Sequence, residues 1–529
     1  MHELGPVLLI VFGICLAGLL ARRTGVPSPV LLVLMGLGVA ALPGDTTVSL
    51  DPDVVLVLVL PPLLYSAALE SSLLDFKANT RPILLLSVGL VFFTAGVVGT
   101  VAHLVIPGLP WAAALALGAI VAPPDAVAAI SIGRRVGMPA RMQTIIEGEG
   151  LLNDATALVL YQVAVAVAVS GAFSPAKSAG QLLLASVGGL AIGLIVAWLI
   201  IQVRRRLEEP LVENVLSLAT PFLAFLPAEQ LHVSGVLAVV VCGLVLGHRT
   251  GTLLSSVSRL QTQPVWRVVV FLLEGGVFLL IGLQLPDILS GMNAYPAGQL
   301  LIWSSAVVLA VLVSRPLWIV PATYLPRRLS PKLRERDPSP PLRVTMALSW
   351  AGMRGVVSLA AAFALPLQTD DGQPFPQRDL LLFLVFVVIL VTLLMQGLTF
   401  GTLLNRLGLR HDRQAMLLAQ ANAQHAAVRA ALAKLDQAVA ERPEDAEVAG
   451  KLRLLAEARS NSRWERLAEV RDSEEPETPS ATWRRLRAMM LEAERTELTA
   501  MRNAGRLPDE AMREMQQQLD FEEAALLAT

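Results

Sequence analysis

The chain has 529 residues, of which 54% are hydrophobic and only 16% charged, and its mean hydropathy is positive at +0.61. That composition excludes a single soluble domain. With 42 basic and 43 acidic residues the net charge is −1, so there is no basic surplus for nucleic acid to bind.

Windows of about 20 apolar residues recur from Leu4 to Leu404 and predict a polytopic membrane protein. Thirteen spans are expected: 4–21, 26–43, 52–69, 82–106, 111–132, 142–170, 178–203, 211–228, 233–247, 264–285, 298–324, 341–366 and 379–405. All are predicted to be α-helices, because backbone groups in lipid must be satisfied within the segment. The first span has no Lys or Arg before it and no small-residue cleavage pattern, and reads as a retained helix. Gly13, Gly18, Gly36 and Gly38 permit close helix approach. Cys15 and Cys242 lie in spans without metal-ligand or redox spacing, and read as small packing residues.

Charge sets the expected topology. Of the Lys and Arg in alternate loops, 18 fall on one side and only Lys177 and Arg378 on the other. The positive-inside rule makes the first side cytoplasmic, places the N-terminus outside and, with an odd number of spans, the C-terminal tail inside the cytoplasmic membrane. If the seventh span is a linker, six-span units precede and follow it in inverted orientation. Such folds cross two discontinuous helices at the membrane midplane, here the fifth and twelfth.

In the fifth span Pro123 and Pro124 follow Gly118-Ala-Ile-Val-Ala and precede Asp125. Each proline lacks an N–H and clashes with the turn before it, so a break is predicted, with Asp125 opening the second half-helix. The sixth span carries Glu147, Glu149, Asn153 and Asp154 in an otherwise apolar stretch. An ionised side chain at bilayer depth costs at least roughly 2.5 kcal/mol, so these acids read as a cation or proton site. At about 100° per residue Glu149 and Asn153 share a face, while Asp154 lies about 140° round and about 7.5 Å further along. Oxygen ligands suit a hard cation such as Na+, with Asp154, Asp125 and Glu149 as candidate ligands and Asn153 as a neutral partner. Glu147 reads as an entrance-funnel acid or a structural contact. Glu274 in the tenth span and Arg315 before Pro316 in the eleventh read first as a structural ion pair, with each other or with Arg354, and otherwise as ion-handling groups or the lining of a water cavity. Glu70 and Glu213, at span ends, read as interfacial.

After Leu404 the character changes: residues 411–529 carry 17 basic and 22 acidic side chains. Apolar residues at helical spacing predict helices over 412–440, 444–471, 480–503 and 508–527, divided by Arg442-Pro443, by residues 472–479 and by Gly505 to Pro508. This segment reads as a cytoplasmic helical domain, regulatory or dimer-supporting, or as a solvated tail. It carries no phosphate loop, nucleotide fingerprint or metal cluster.

Pro123-Pro124-Asp125-Ala-Val-Ala-Ala and Glu147-Gly-Glu149-Gly-Leu-Leu-Asn153-Asp154-Ala-Thr-Ala resemble the paired motifs of the NhaP-type sodium/proton antiporters, bacterial relatives of the animal exchangers. Gly352-Met-Arg354-Gly355-Val-Val-Ser358 resembles the Gly-x-Arg-Gly segment of their twelfth helix. The resemblance covers about residues 1–410. It implies a homodimeric, cofactor-free cation/proton antiporter in which Asp154 alternately holds cation and proton and Asn153 is its structural partner. It further implies that Asp125 is the aspartate of the unwound fifth helix, that Glu149 is the glutamate opening the sixth-helix motif, and that Arg354 offsets buried negative charge and helix-end carbonyls. The Asn-Asp pair implies electroneutral one-for-one exchange.

Gly150 stands where the family usually has a serine, and Pro124 where a threonine is common, so two side-chain oxygens are missing. Na+ is the first expected ion, Li+ the next, and K+ the open one. A cation channel built on the same acids and a transporter-derived sensor signalling through residues 411–529 are the alternative readings. Single-channel current identifies the first, and Na+ flux by the chain lacking residues 411–529 discriminates against the second.

Overall fold

The structure, a computed structural model, describes residues 4–40, 54–171, 175–207, 209–292, 295–409, 413–471, 478–504 and 506–528. The predicted breaks at 472–477 and Gly505, and the facing ends of the second and third spans at 41–53, lie outside the described residues. The chain divides into two compact units, Met1–His411 and Asp412–Thr529.

In the first unit the main helices are α1 (Leu4–Thr24), α2 (Ser28–Ala40), α3 (Leu60–Glu70), α4 (Thr80–Val105), α5 (Trp111–Val121), α6 (Ala126–Val136), α7 (Ala140–Ser170), α8 (Pro175–Arg204), α9 (Pro210–Gln230), α10 (Gly235–Leu253), α11 (Ser256–Leu283), α12 (Ala297–Leu329), α13 (Leu342–Trp350), α14 (Val356–Phe363) and α15 (Arg378–Arg406). Among the described residues nine segments are long and apolar enough to cross a membrane, counting α5 and α6 as one, and α2 is a shorter apolar helix. Among those residues the regular elements are all helical. Long apolar runs become helices because only intrasegment hydrogen bonds satisfy the backbone in lipid.

Capping residues set the ends. Ser234 and Ser255 accept hydrogen bonds from the backbone N–H of Leu237 and Ser258, opening α10 and α11. Gly137, at φ 76°, closes α6 in the left-handed conformation that side-chain-bearing residues avoid. A larger apolar core joins α4–α7 with α12–α15 through residues such as Leu117, Phe386 and Ile389. A smaller one joins α3 with α8–α11 around Tyr65, Val239 and Trp266. Glycine allows the tightest crossings: a Cβ on Gly282 of α11 would stand 2.7 Å from the Cα of Gly36 in α2. Gly38, by contrast, meets nothing within 4 Å.

Two helices are interrupted. The prolines separate α5 from α6 at residues 122–125, and a second break at 351–355 separates α13 from α14. The two breaks meet: the Asp125 N–H donates to the Met353 carbonyl at 2.7 Å.

The second unit contains α16 (Arg413–Glu441), α17 (Ala446–Arg471), α18 (Pro479–Asn503) and α19 (Asp509–Ala528), with a 3-10 turn at Pro443–Asp445 between the first two. α18 and α19 bury Leu491, Met512 and Leu519 and are bridged by Arg495 to Asp520 and Glu523 at 2.6 and 2.7 Å. Such exposed pairs add little each, so the apolar stripe holds the hairpin.

Candidate functional site

The α5–α6 break puts Asp125 at the start of a half-helix, where unpaired N–H groups favour a carboxylate. Its side chain accepts from the Val127 N–H at 2.9 Å, a helix cap, while its own N–H is held by Met353. A Cβ on Gly355 would stand 2.7 Å from the Asp125 Cβ, so a glycine there lets the second break close on the first. Asn153, fully buried in α7, donates through Nδ2 to the Pro124 carbonyl at 2.9 Å. That carbonyl is one the proline break sets free. The Asn153 Oδ1 has no hydrogen-bond partner among the described residues.

Asp154 is 8% exposed and shares a cavity of about 110 Å3 with Asp125, Glu147, Glu274 and Ser358. Gly150 and Leu151 complete the α7 side of the wall, and Leu60, Leu64 and Phe278 are among its apolar lining. On α7 the cavity-facing positions are thus 147, 150, 151 and 154, one helical stripe. A Cβ at Gly150 would overlap the Ala126 methyl, so the missing serine coincides with a close approach of α7 to the start of α6.

Glu149 points elsewhere. Both of its oxygens are taken by Arg315, Nη1 to Oε1 at 2.6 Å and Nη2 to Oε2 at 2.8 Å, with the two side chains 1% and 2% exposed. A fork-to-fork pair of this kind is the strong form of a charge-assisted hydrogen bond. Arg315 also donates from Nε to the Leu348 carbonyl at 2.9 Å, near the C-terminal end of α13. It therefore pairs with Glu149 rather than with Glu274, and the sequence expectation of a Glu274–Arg315 pair is corrected: α7 presents Glu149 to α12, leaving Glu274 on the cavity wall. The helix-end carbonyl contact expected of Arg354 is made, at Leu348, by Arg315. Arg354 is buried, with its backbone N–H donating to the Thr392 hydroxyl at 3.1 Å and with Nε and Nη1 unpartnered among the described residues.

Glu147 accepts from Gln143 at 2.7 Å and from Arg134 at 3.4 Å, and Arg134 also lies 3.6 Å from Glu70. This chain of charges joins the ends of α3, α6 and α7 at the margin of the cavity. Among the described residues no group of three or more His, Cys, Asp or Glu side chains meets as a metal site. Ser358 gave only a weak signal in the sequence, its place at the end of the motif that begins at Gly352, because a serine in an apolar run is ordinary. The Glu149–Arg315 pair had a weaker one, a lone arginine inside an apolar span.

Residues 8–406 match the family described as "Sodium/hydrogen exchanger, transmembrane". An uncharacterized Na+/H+ exchanger of Mycobacterium tuberculosis is 36% identical over 531 residues, covering 98% of this chain and 96% of that protein. A sodium, potassium, lithium and rubidium/H+ antiporter of Bacillus pumilus is 36% identical over 76% of this chain and 60% of its own length. In fold, the chain is similar to the sodium proton antiporter MjNhaP1 of Methanocaldococcus jannaschii, with a TM-score of 0.62 at 19% identity, over 77% of this chain and 99% of that one.

Proposed function

Because the chain belongs to the sodium/hydrogen exchanger family, of which it is an NhaP-type member, we propose that it exchanges a monovalent cation for protons by alternating access, with Asp154 as the exchanging carboxylate. The protein is a secondary transporter and not an enzyme. The observation that carries this reading is the meeting of two broken helices at Asp125 and Met353, beside a small cavity that Asp154 lines. A carboxylate in that setting holds one positive charge at a time, so Na+ and a proton exclude each other. Either occupant neutralises the site and permits the bundle to move, whereas the empty, charged site stays put.

Within this proposal Asp125, fixed by its cap, supplies the second carboxylate, and free carbonyls of the two breaks supply further oxygens. The Ser358 hydroxyl and Glu274 stand in for the oxygens that Gly150 and Pro124 do not provide. Glu147 concentrates cations at the entrance. Glu149 serves through Arg315, by fixing α7 against α12 and the end of α13. Exchange is read as electroneutral, because Asn153 is neutral and occupied in holding the Pro124 carbonyl. Na+ is the first substrate and Li+ the second; K+ joins them on the strength of the Bacillus relative's name.

The proposed architecture is thirteen spans in two inverted six-helix repeats around α8, with α5–α6 and α13–α14 as the crossing pair. Residues 411–529 form a separate cytoplasmic domain, and the protein works as a homodimer in the cytoplasmic membrane with its N-terminus outside. In everted vesicles Asp154→Asn is expected to insert normally and to lose all Na+-driven proton movement. Exchange at the wild-type rate in that variant removes Asp154 from the central role.

A further inference from the structure

A second cavity, of about 600 Å3, lies away from the carboxylates, between the end of α8, the start of α9, the end of α10 and the start of α11. Its walls carry Arg204, Arg205 and Arg249, the hydroxyl-bearing Thr252 and Ser255, and Glu213. Glu213, read from the sequence as interfacial, is only 3% exposed, and Arg204 only 2%. Each keeps a buried polar atom without a hydrogen-bond partner among the described residues, a donor at Arg204 Nε and an acceptor at Glu213 Oε2. Buried groups of this kind are costly to leave unpaired. An unmet donor and an unmet acceptor in one cavity call for a ligand that carries both charges.

We propose that this cavity binds a phosphoethanolamine group, its phosphate held by Arg204, Arg205 and Arg249 and its primary ammonium by Glu213. Arginine suits phosphate because its planar fork donates two parallel hydrogen bonds. A carboxylate acceptor distinguishes a primary ammonium from a quaternary one, which has no N–H to give. The group belongs to a membrane lipid: Leu211, Val215 and Leu260, on the helices that wall the cavity, leave their apolar side chains exposed, where acyl chains lie. The site is independent of the ion-exchange reading and stands or falls without it.

The test uses the full-length protein, purified in detergent and titrated in native mass spectrometry with dihexanoyl-phosphatidylethanolamine, -choline and -glycerol and with free O-phosphoethanolamine. The ethanolamine lipid is expected to bind about tenfold or more tightly than the other two. Glu213→Gln is expected to erase that preference, and Arg249→Gln, at an exposed position, to weaken all three lipids. Free O-phosphoethanolamine binding as tightly as the lipid supports the site and assigns it to a soluble ligand. Equal binding of the three lipids to the wild type, or undiminished binding to Arg249→Gln, overturns the proposal. Where Glu213→Gln does not fold, those two measurements decide alone.

Discussion

Glu149 and Arg315 form a pair whose removal is costlier than its presence is stabilising. Taking away one partner leaves an uncompensated charge in a dry interior, at about 3–5 kcal/mol. Glu149→Gln is therefore expected to lower the thermal midpoint in detergent, while Glu149→Met combined with Arg315→Leu recovers much of the loss. Thermal unfolding of the two variants beside the wild type checks this, and an unchanged midpoint for Glu149→Gln contradicts the pairing. Gly150 yields a second expectation at this scale. A serine there meets the Ala126 methyl, and overpacking costs about 1–3 kcal/mol. Gly150→Ser should thus destabilise, and Ala126→Gly should rescue it in the double variant, a coupling absent if the two do not touch. The sequence announced these residues and their division into faces, but not what each face meets. Glu147, Gly150, Leu151 and Asp154 recur at the spacing of one helical stripe and line the cavity; Glu149 and Asn153, four apart, hold Arg315 and the Pro124 carbonyl. Spacing alone separates the two faces, but which face lines the cavity depends on the packing of α12 and on the break in α5–α6, outside α7 itself.

At the scale of elements, the proline break was legible because Pro123 and Pro124 act locally, on the turn before them. The break at 351–355 has no proline, and its signals were Gly352, Gly355 and the expected repeat that pairs the twelfth span with the fifth. Its cause is tertiary: a Cβ on Gly352 would stand 2.7 Å from the Arg315 side chain, and Gly355 faces Asp125. A further element-level feature had no sequence signature beyond an excess of arginines. Asp337, in the connection after α12, contacts Arg327 of α12 at 2.5 Å, Arg141 of α7 at 2.8 Å and Arg81 of α4 at 3.8 Å. Partial burial works to raise its pKa, but hydrogen bonds and charge from Arg141 and Arg327 win and hold it below the usual carboxylate range. A depressed carboxylate contributes stability above its unfolded pKa of about 3.9 and loses it as pH falls through the lower folded value. Asp337→Asn is accordingly expected to melt earlier than the wild type at pH 7, by a gap that stays constant down to about pH 5 and closes only below about pH 4. A gap that already closes between pH 7 and 6 contradicts this assignment.

At the scale of the whole molecule, composition and charge asymmetry were enough for a polytopic helical protein with a charged second unit, because hydrophobic length and loop charge are summed over long windows. The four helices of the second unit fall within a residue or two of their expected limits, since proline and glycine mark those ends locally. What no window contained was the convergence of α3, α5–α7, α11 and α14 on one cavity, which depends on residues as far apart in the chain as Leu60 and Ser358. The central claim, that cation and proton compete for one carboxylate there, is tested most directly by the pH dependence of Na+-driven exchange in proteoliposomes. With a single competing proton the apparent KM for Na+ is expected to rise as pH falls, by up to about tenfold per unit, while the maximal rate at saturating Na+ stays constant. An apparent KM independent of pH, with the maximal rate alone changing, would contradict it.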